Sequence, residues 1–319
     1  MAAVERRTEL VQLTQAQLER AVALVLPNVR VTAHRLAAGG RANTNYIVET
    51  DRGTHVVRIY VRDAATCAKE RALCELVSSR VPVAKILGSG GTECGLGHPF
   101  SVLEFVPGPT LEELARRGEP APLLNAAASL GRVLGELTRF PFEQFADLQA
   151  DANGTLVTVP WSFGDFYRWC LFESPAGARL GPLRDRLWAL LERQSSAFSD
   201  PFAIHLTHGD FSPTNVLFDD DGRIAAVLDW EFAQAGKLWQ DLGNLLRERP
   251  ECELPSDFER ALSDGFAESG RSLPSDWRAH AEFDDLSSAC DFLSSVEDKP
   301  ETHARALRQI SRSLAHFDA

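Results

Sequence analysis

The sequence lacks long apolar runs and any paired-cysteine motif. None of its segments reaches the roughly 18 consecutive apolar residues that a membrane-spanning helix needs, so no membrane segment is predicted. Residues Met1–Arg7 contain no apolar stretch long enough for a secretory signal. The six cysteines include no Cys-x-x-Cys pair, which argues against a zinc site and favours reduced thiols. We therefore expect a protein of the cytoplasm.

The sequence also lacks an excess of positive charge. Its net charge of −12 argues against nucleic acid as a partner. Residues 1–107 hold 13 of the 33 basic and 10 of the 45 acidic residues, a balance of +3. Residues 108–319 hold the other 20 and 35, a balance of −15. The acidic second part favours a cationic small-molecule substrate, although such a surface can also serve solubility alone.

Apolar periodicity and turn residues predict a strand-rich first part and a helical second part. A capping box at Thr14–Gln17 opens a helix that Pro27 ends. Strands are predicted over 30–37, 45–50, 55–60, 85–87 and 100–105, with a helix over 64–78. After Gly108-Pro109, helices are predicted over 110–117, 122–138, 162–173, 181–195, 239–247, 255–268, 276–295 and 301–315. No internal repeat, low-complexity tract or long linker interrupts this pattern.

The most informative segment is the polar loop His208–Asp219. Its Asp210 is followed five residues later by Asn215, which is the spacing of a kinase catalytic loop. There the aspartate orients and deprotonates the attacking hydroxyl, and the asparagine binds magnesium. The predicted strand Ile224–Leu228 ends at Asp229, a second carboxylate where kinases keep a metal-binding aspartate. The alternative is that Asp210 and Asn215 only cap a turn.

Apolar strands on both sides of this loop explain its spacing. The loop leaves the predicted strand Phe202–Leu206 and re-enters the core at Val216–Phe218. Asp219–Gly222 then forms a hairpin turn, so Asn215 and Asp229 are expected at neighbouring strand edges. Two oxygen ligands, together with nucleotide phosphates, suit Mg²⁺.

These motifs give the chain a resemblance to the aminoglycoside phosphotransferase and choline kinase-like family, bilobal relatives of the protein kinases. The matching residues are His208-Gly209-Asp210 with Asn215, then Leu228–Glu231, then the less specific Asp241–Arg247. The resemblance implies an α+β protein kinase-like fold, with a small β-rich N-lobe over 1–107 and a larger, mainly helical C-lobe over 108–319. It also implies ATP and Mg²⁺ as cofactors. His208 and Asp241 are interpreted as structural supports of the loop.

The first hairpin is the candidate phosphate-binding turn. Glycines let backbone N–H groups approach phosphates closely, and small polar residues add further donors. The candidates are Gly39, Gly40, Asn43, Thr44 and Asn45. An ordinary hairpin is the alternative. By resemblance, the backbone C=O of Glu104 and N–H of Val106 would bind adenine.

Arg58 occupies the strand position where kinase-like folds carry a phosphate-binding lysine. An arginine can replace it, although its fork has a different geometry. Glu70 is the predicted partner of Arg58, because it shares an apolar helix face where an unpaired carboxylate would be costly. The alternative is a surface arginine on an edge strand.

The acceptor pocket is the least specified part of the sequence. Its candidate residues are Asp165, Trp169, Trp230, Glu231, Asp284, Asp285 and Asp291, for each of which ordinary surface is the alternative. The leading hypothesis is an ATP-dependent O-phosphotransferase acting on a small hydroxylated molecule, with an aminoglycoside-type antibiotic as the first candidate. The alternatives are a kinase of choline, ethanolamine or homoserine, and a regulatory pseudokinase. The intact Asp210, Asn215 and Asp229 argue against a pseudokinase.

Overall fold

A computed structural model of the protein describes residues 10–37, 43–61, 65–194, 202–249 and 252–318. The chain divides into two compact units. The first comprises Met1–Pro109, Leu148–Val157 and Val216–Glu231, and the second comprises Thr110–Asp147, Thr158–Asn215 and Phe232–Ala319. The first unit therefore includes two segments that the sequence analysis assigned to the second lobe.

The first unit is built on a five-stranded antiparallel sheet. Its strands are β1 (Val31–Leu36), β2 (Thr44–Thr50), β3 (Gly53–Ile59), β4 (Ile86–Gly90) and β5 (Phe100–Glu104), in the order β1-β2-β3-β5-β4. Helix α1 (Gln15–Val25) begins at the predicted capping box. Its buried Leu18 and Val22 join Val48, Val57 and Val102 in one apolar core. The predicted strands and the helix are thus confirmed.

Strand register places Arg58 on the sheet face opposite that core. Val57 belongs to the core, and successive residues of a strand point to opposite faces. Arg58 pairs with Asn45 on β2 and with Ser101 on β5, so these three side chains share one face. Helix α2 (Ala65–Val77) carries the buried Glu70.

A short hairpin of β9 (Val216–Phe218) and β10 (Ile224–Val227) belongs to the first unit. Backbone hydrogen bonds attach it: Val227 N–H donates to Pro82 O at 2.8 Å, and Phe218 N–H donates to Pro109 O at 2.9 Å. Gly108, at φ +142°, permits this contact, since a Cβ there would lie 2.1 Å from the Phe218 carbonyl oxygen. Asp229 therefore belongs to the first unit.

The second unit is mainly helical, as predicted. Its helices are α3 (Leu111–Arg117), α4 (Pro120–Leu137), α5 (Phe163–Phe172), α6 (Pro175–Leu180), α7 (Leu183–Gln194), α8 (Leu238–Leu246), α9 (Phe258–Ala267), α10 (Trp277–Ser294) and α11 (Pro300–Phe317). Leu187, Leu190, Leu286 and Ile310 form part of a core that joins α7, α10 and α11. No described helix is long and apolar enough to cross a membrane. All six cysteines are free thiols.

A four-stranded sheet in the order β7-β6-β11-β8 was largely missed from the sequence. It contains β6 (Ala146–Ala150), β7 (Leu156–Pro160), β8 (His205–Thr207) and β11 (Gln234–Gly236), of which only β8 overlaps a predicted strand. Strand β7 is exposed along most of its length, so it has no apolar alternation to read. Strand β11 has three residues, too few to show a pattern.

Candidate active site

The loop after β8 holds Asp210 in a tight turn of the second unit. Gly209 has φ +76°, and a Cβ there would lie 2.2 Å from the Phe232 carbonyl oxygen, so glycine is required. The next residue, Asp210, donates its backbone N–H to His208 Nδ1 at 3.2 Å. His208 itself is fully buried. Backbone geometry and a buried imidazole therefore fix the point from which the Asp210 side chain emerges.

Asp241, on α8, braces this loop from beneath. Its carboxylate accepts the His208 N–H at 2.7 Å and the Gly209 N–H at 2.9 Å. Burial raises the pKa of Asp241 to about 6, although His208 and the two backbone hydrogen bonds oppose the shift. The interpretation of His208 and Asp241 as structural supports is confirmed.

Both carboxylate oxygens of Asp210 are held by amide groups. Asn215 Nδ2 donates to Asp210 Oδ2 and to the Asp210 backbone O, each at 2.9 Å. Asn244, one helical turn after Asp241 on α8, directs its Nδ2 toward Asp210 Oδ1 at 3.4 Å. Because Nδ2 of Asn215 makes both bonds, Oδ1 is the atom through which Asn215 would bind a cation. Asn244 was not among the predicted site residues.

In the first unit, Arg58 forms the predicted ion pair with Glu70. Arg58 Nη2 lies 3.2 Å from Glu70 Oε1, and the same nitrogen also contacts Asp229 Oδ1. Burial lowers the pKa of the Arg58 guanidinium, but Asp229 and Glu70 outweigh it and raise that pKa well above its usual value. Arg58 is therefore a permanent cation, although only 7% of the residue is exposed to solvent.

Tyr60 completes the surroundings of Glu70 and was missed from the sequence. Its hydroxyl donates to Glu70 Oε2 at 2.7 Å and lies 3.2 Å from Ser101 Oγ. Arg58 and Tyr60 thus occupy both oxygens of the buried carboxylate. The available signal was the two-residue spacing from Arg58 to Tyr60, which places both side chains on one side of an extended chain.

Asp229 has an unusual backbone conformation. Its φ is +68°, in the left-handed region that few residues other than glycine adopt. Such residues cost about 1–3 kcal/mol and persist where their surroundings hold them. About a third of the Asp229 side chain is exposed, which leaves the carboxylate open to a ligand besides Arg58.

The sequence profile of the phosphotransferase enzyme family matches residues 33–283, most of the chain. The chain belongs to this family. Two curated relatives are similar to this phosphotransferase-family protein. Hygromycin-B 4-O-kinase of Escherichia coli is 27% identical over 208 residues, which cover 60% of this chain and 57% of the relative. Homoserine kinase of Caulobacter vibrioides is 25% identical over 213 residues, covering 61% and 59%. The match thus spans less than two thirds of either relative.

Solved structures confirm the predicted kinase-like fold class. Aminoglycoside phosphotransferase APH(4)-Ia has a TM-score of 0.66 at 18% identity, covering 96% of this chain and all of the other. ADP-bound aminoglycoside phosphotransferase APH(2'')-Ib has a TM-score of 0.62 at 14% identity, covering 96% and 99%. At these identities the likeness concerns the fold alone.

The predicted phosphate-binding residues of this family member have different surroundings. Thr44 is fully buried, and its hydroxyl accepts the Val11 N–H at 3.1 Å, so its prediction as a nucleotide contact is wrong. Asn45 lies opposite Arg58, whereas Asn43 donates to Glu231. The predicted Gly39 and Gly40 lie outside the described residues. Glu104 is the last residue of β5, and Val106 lies two residues later. Their adenine-binding role stays a prediction.

Two predicted substrate residues are buried and already engaged. Trp230 is 1% exposed, and its indole N–H donates to Val227 O at 3.1 Å. Asp285 is 3% exposed and pairs with Arg247 through bonds of 2.5 and 2.9 Å. Gln309 also donates to Asp285, at 2.6 Å. Both substrate predictions are wrong, because neither side chain offers a free surface to a ligand.

The remaining substrate candidates lie on α5 and α10. Asp165 is exposed and accepts a hydrogen bond from Ser162 Oγ at 2.6 Å at the start of α5. Trp169 is 44% exposed and four residues further on, so the two share a helix face. On α10, Asp284 is partly buried and Asp291 is exposed. Their substrate role stays a prediction.

Asp241→Asn is expected to lower kcat about 10- to 100-fold with little change in the nucleotide KM. An asparagine has one acceptor oxygen where Asp241 uses two, so one loop N–H loses its partner and Asp210 shifts from its position. Steady-state kinetics would measure kcat and the nucleotide KM separately. Asp264→Asn on α9 is the control, since that side chain is 67% exposed. A normal kcat in Asp241→Asn would show that the brace is dispensable.

The same variant should change the pH dependence of stability. The pKa of Asp241 rises from 3.8 to about 6 on folding, so the folded state holds this proton more tightly. Its contribution to stability is therefore greatest below pH 3.8 and is lost as the pH rises toward about 6. Urea unfolding from pH 4 to 7 should show a shallower decline with rising pH in Asp241→Asn than in the wild type.

Proposed function

We propose that the protein is an ATP- and Mg²⁺-dependent O-phosphotransferase that transfers the γ-phosphate to a hydroxyl of a small cationic molecule of the aminoglycoside-antibiotic type. The observation that carries this proposal is the Asp210 carboxylate, held at both oxygens by Asn215 and Asn244 on a braced loop. Family membership supports phosphoryl transfer as the reaction class.

Asp210 is the proposed catalytic base. Its carboxylate orients the substrate hydroxyl and accepts the hydroxyl proton as the new P–O bond forms and the bond to the ADP leaving group breaks. Hydrogen bonds from two amides hold the carboxylate in one direction, so orientation is its first task and proton removal comes late. Asn215 and Asn244 supply that orientation.

Arg58 is the proposed phosphate-binding residue. Its Nε is buried and has no hydrogen-bond partner among the described residues. Asn45, which pairs with Arg58 across the strands, is a proposed phosphate contact through its Nδ2 donor. An anionic phosphate oxygen is the acceptor that a buried guanidinium N–H lacks. Adenine would bind the backbone of Glu104 and Val106.

Asn215 and Asp229 are the proposed magnesium ligands. The described residues contain no group of three or more acidic, histidine or cysteine side chains that could hold a metal alone. Magnesium commonly binds through one or two protein oxygens together with substrate phosphates, so these two ligands fit it. The bound ion would neutralise charge on the transferred phosphate.

Charge and one relative support a cationic acceptor. Residues 108–319 carry a balance of −15, and a similar sequence belongs to Hygromycin-B 4-O-kinase. Asp165, Trp169, Asp284 and Asp291 remain its proposed contacts. An enzyme of this kind would give a cell resistance to the antibiotic it modifies. Homoserine is the second candidate acceptor, because a homoserine kinase matches over a similar length.

Assays of polycationic aminoglycosides, choline, homoserine and a neutral polyol would test this proposal. ATP consumption and product masses are the readouts, and an Asp210→Ala preparation corrects for contaminating ATPase activity. The polycationic acceptors should give the highest kcat/KM, and raising the salt concentration should lower it about tenfold, because salt screens the acidic field. A neutral or zwitterionic acceptor with the highest, salt-insensitive kcat/KM would contradict the cationic-substrate proposal.

A further inference from the structure

One hydrogen bond in the first unit joins residues of two separate sequence motifs. Asn43 Nδ2 donates to Glu231 Oε2 at 3.1 Å, across 188 positions of sequence. Asn43 was predicted to contact phosphate, and Glu231 was predicted to contact substrate. Asn43 is only 5% exposed, so its side chain is buried in the protein interior.

The Asn43 amide is also bound through its oxygen. Oδ1 accepts the backbone N–H of Val61 at 3.4 Å, just beyond the end of β3. The two ends of the amide therefore connect the chain that follows Arg58 with the segment that follows β10. This arrangement fixes the orientation in which Nδ2 faces Glu231.

Three successive residues of that segment are each held by a side-chain contact within the first unit. Asp229 contacts Arg58, Trp230 donates its indole N–H to Val227 O, and Glu231 accepts from Asn43. Asp229 has φ +68°, a conformation that must be stabilised by its surroundings. Losing one of the flanking contacts would allow the turn to relax and move the Asp229 carboxylate.

We propose that Asn43 and Glu231 are positioning residues, whose hydrogen bond holds Asp229 in its left-handed, ligand-ready conformation. This proposal rests on the proposed function, in which Asp229 binds magnesium. It assigns Glu231 a role other than substrate binding and Asn43 a role other than phosphate binding. Neither residue needs to touch the reacting groups for this purpose.

Calorimetry of ADP binding with and without Mg²⁺ tests the proposal. Asn43→Ala and Glu231→Ala should each weaken ADP binding about tenfold in Mg²⁺ and leave Mg²⁺-free binding unchanged. The double variant should be no weaker than either single variant, since both remove the same bond. Glu231→Gln should stay within about threefold of wild type, because its amide oxygen still accepts from Asn43. Asp229→Asn is the positive control for lost Mg²⁺ dependence.

Urea unfolding of the ligand-free variants provides a second, activity-independent readout. Asn43 and Glu231 should be coupled in stability, with the double variant less destabilised than the sum of the single variants. Coupled stability with unchanged Mg²⁺-ADP affinity would make the bond merely structural and would overturn the positioning role.

Other outcomes would also overturn it. If Asn43→Ala weakened ADP binding equally with and without Mg²⁺, Asn43 would be a direct nucleotide contact. If Glu231→Gln weakened Mg²⁺-ADP binding as much as Glu231→Ala, while Asn43→Ala bound like the wild type, Glu231 would act through its charge. A wild-type protein that does not bind Mg²⁺-ADP would reject the proposed function itself. Wild-type binding that all the Asn43 and Glu231 variants retain would reject the positioning role alone.

Discussion

Replacing Asp210 by alanine is expected to lower kcat by about 10²- to 10⁴-fold while leaving nucleotide affinity nearly unchanged. The variant removes the proposed base, whose oxygens are held by Asn215 and Asn244. The two hydrogen bonds with which Asp241 supports the loop come from the backbone N–H groups of His208 and Gly209, so truncating the Asp210 side chain leaves both partners in place. Rapid-quench measurement of the phosphorylated product, with calorimetry of a non-hydrolysable ATP analogue, would separate chemistry from binding.

Asp264→Ala is the matched control for this experiment, because it removes an exposed carboxylate on α9 from the same acidic unit. Its kcat should equal that of the wild type. If Asp210→Ala retained activity within about threefold of wild type, Asp210 would be removed from the mechanism. A parallel loss of nucleotide affinity would instead indicate that the loop had lost its structure.

Arg58→Ala is expected to raise the nucleotide KM about 10- to 100-fold and to destabilise the protein strongly. A charge-assisted hydrogen bond is worth about 1.5–3 kcal/mol, which sets the size of the KM effect. Removing one partner of a buried ion pair costs about 3–5 kcal/mol, because the other charge stays buried. Here two carboxylates, Glu70 and Asp229, would lose their counter-ion.

Arg58→Lys should retain most of the activity. A single nitrogen, Nη2, makes both ion pairs of Arg58, so one lysine ammonium could replace it. Steady-state nucleotide kinetics and urea unfolding of both variants would measure the effects. Arg71→Ala on α2 is the control, since that arginine is 56% exposed and pairs with Glu75 at the protein surface. Normal nucleotide kinetics in Arg58→Ala would exclude Arg58 from phosphate binding.

The sequence alone determined the features that depend on short stretches of chain. The spacing from Asp210 to Asn215 lies within one loop, and the Asn215 side chain hydrogen-bonds Asp210. The helix face that carries Glu70 could likewise be read locally, and this predicted the partner of Arg58 correctly. Most of the helices and the strands of the five-stranded sheet followed from apolar periodicity, whereas β6, β7 and β11 were missed.

The contacts between distant segments could be identified only in the folded protein. Thr44 accepts from Val11, and the buried Asp285 pairs with Arg247 and not with a substrate. Asn43 and Glu231 lie 188 positions apart, and no local periodicity relates them. In the sequence, a polar residue looks the same whether its side chain faces water, a ligand or a buried partner in the folded protein. Its role is settled only when packing removes water and burial requires that it find a hydrogen-bonding partner.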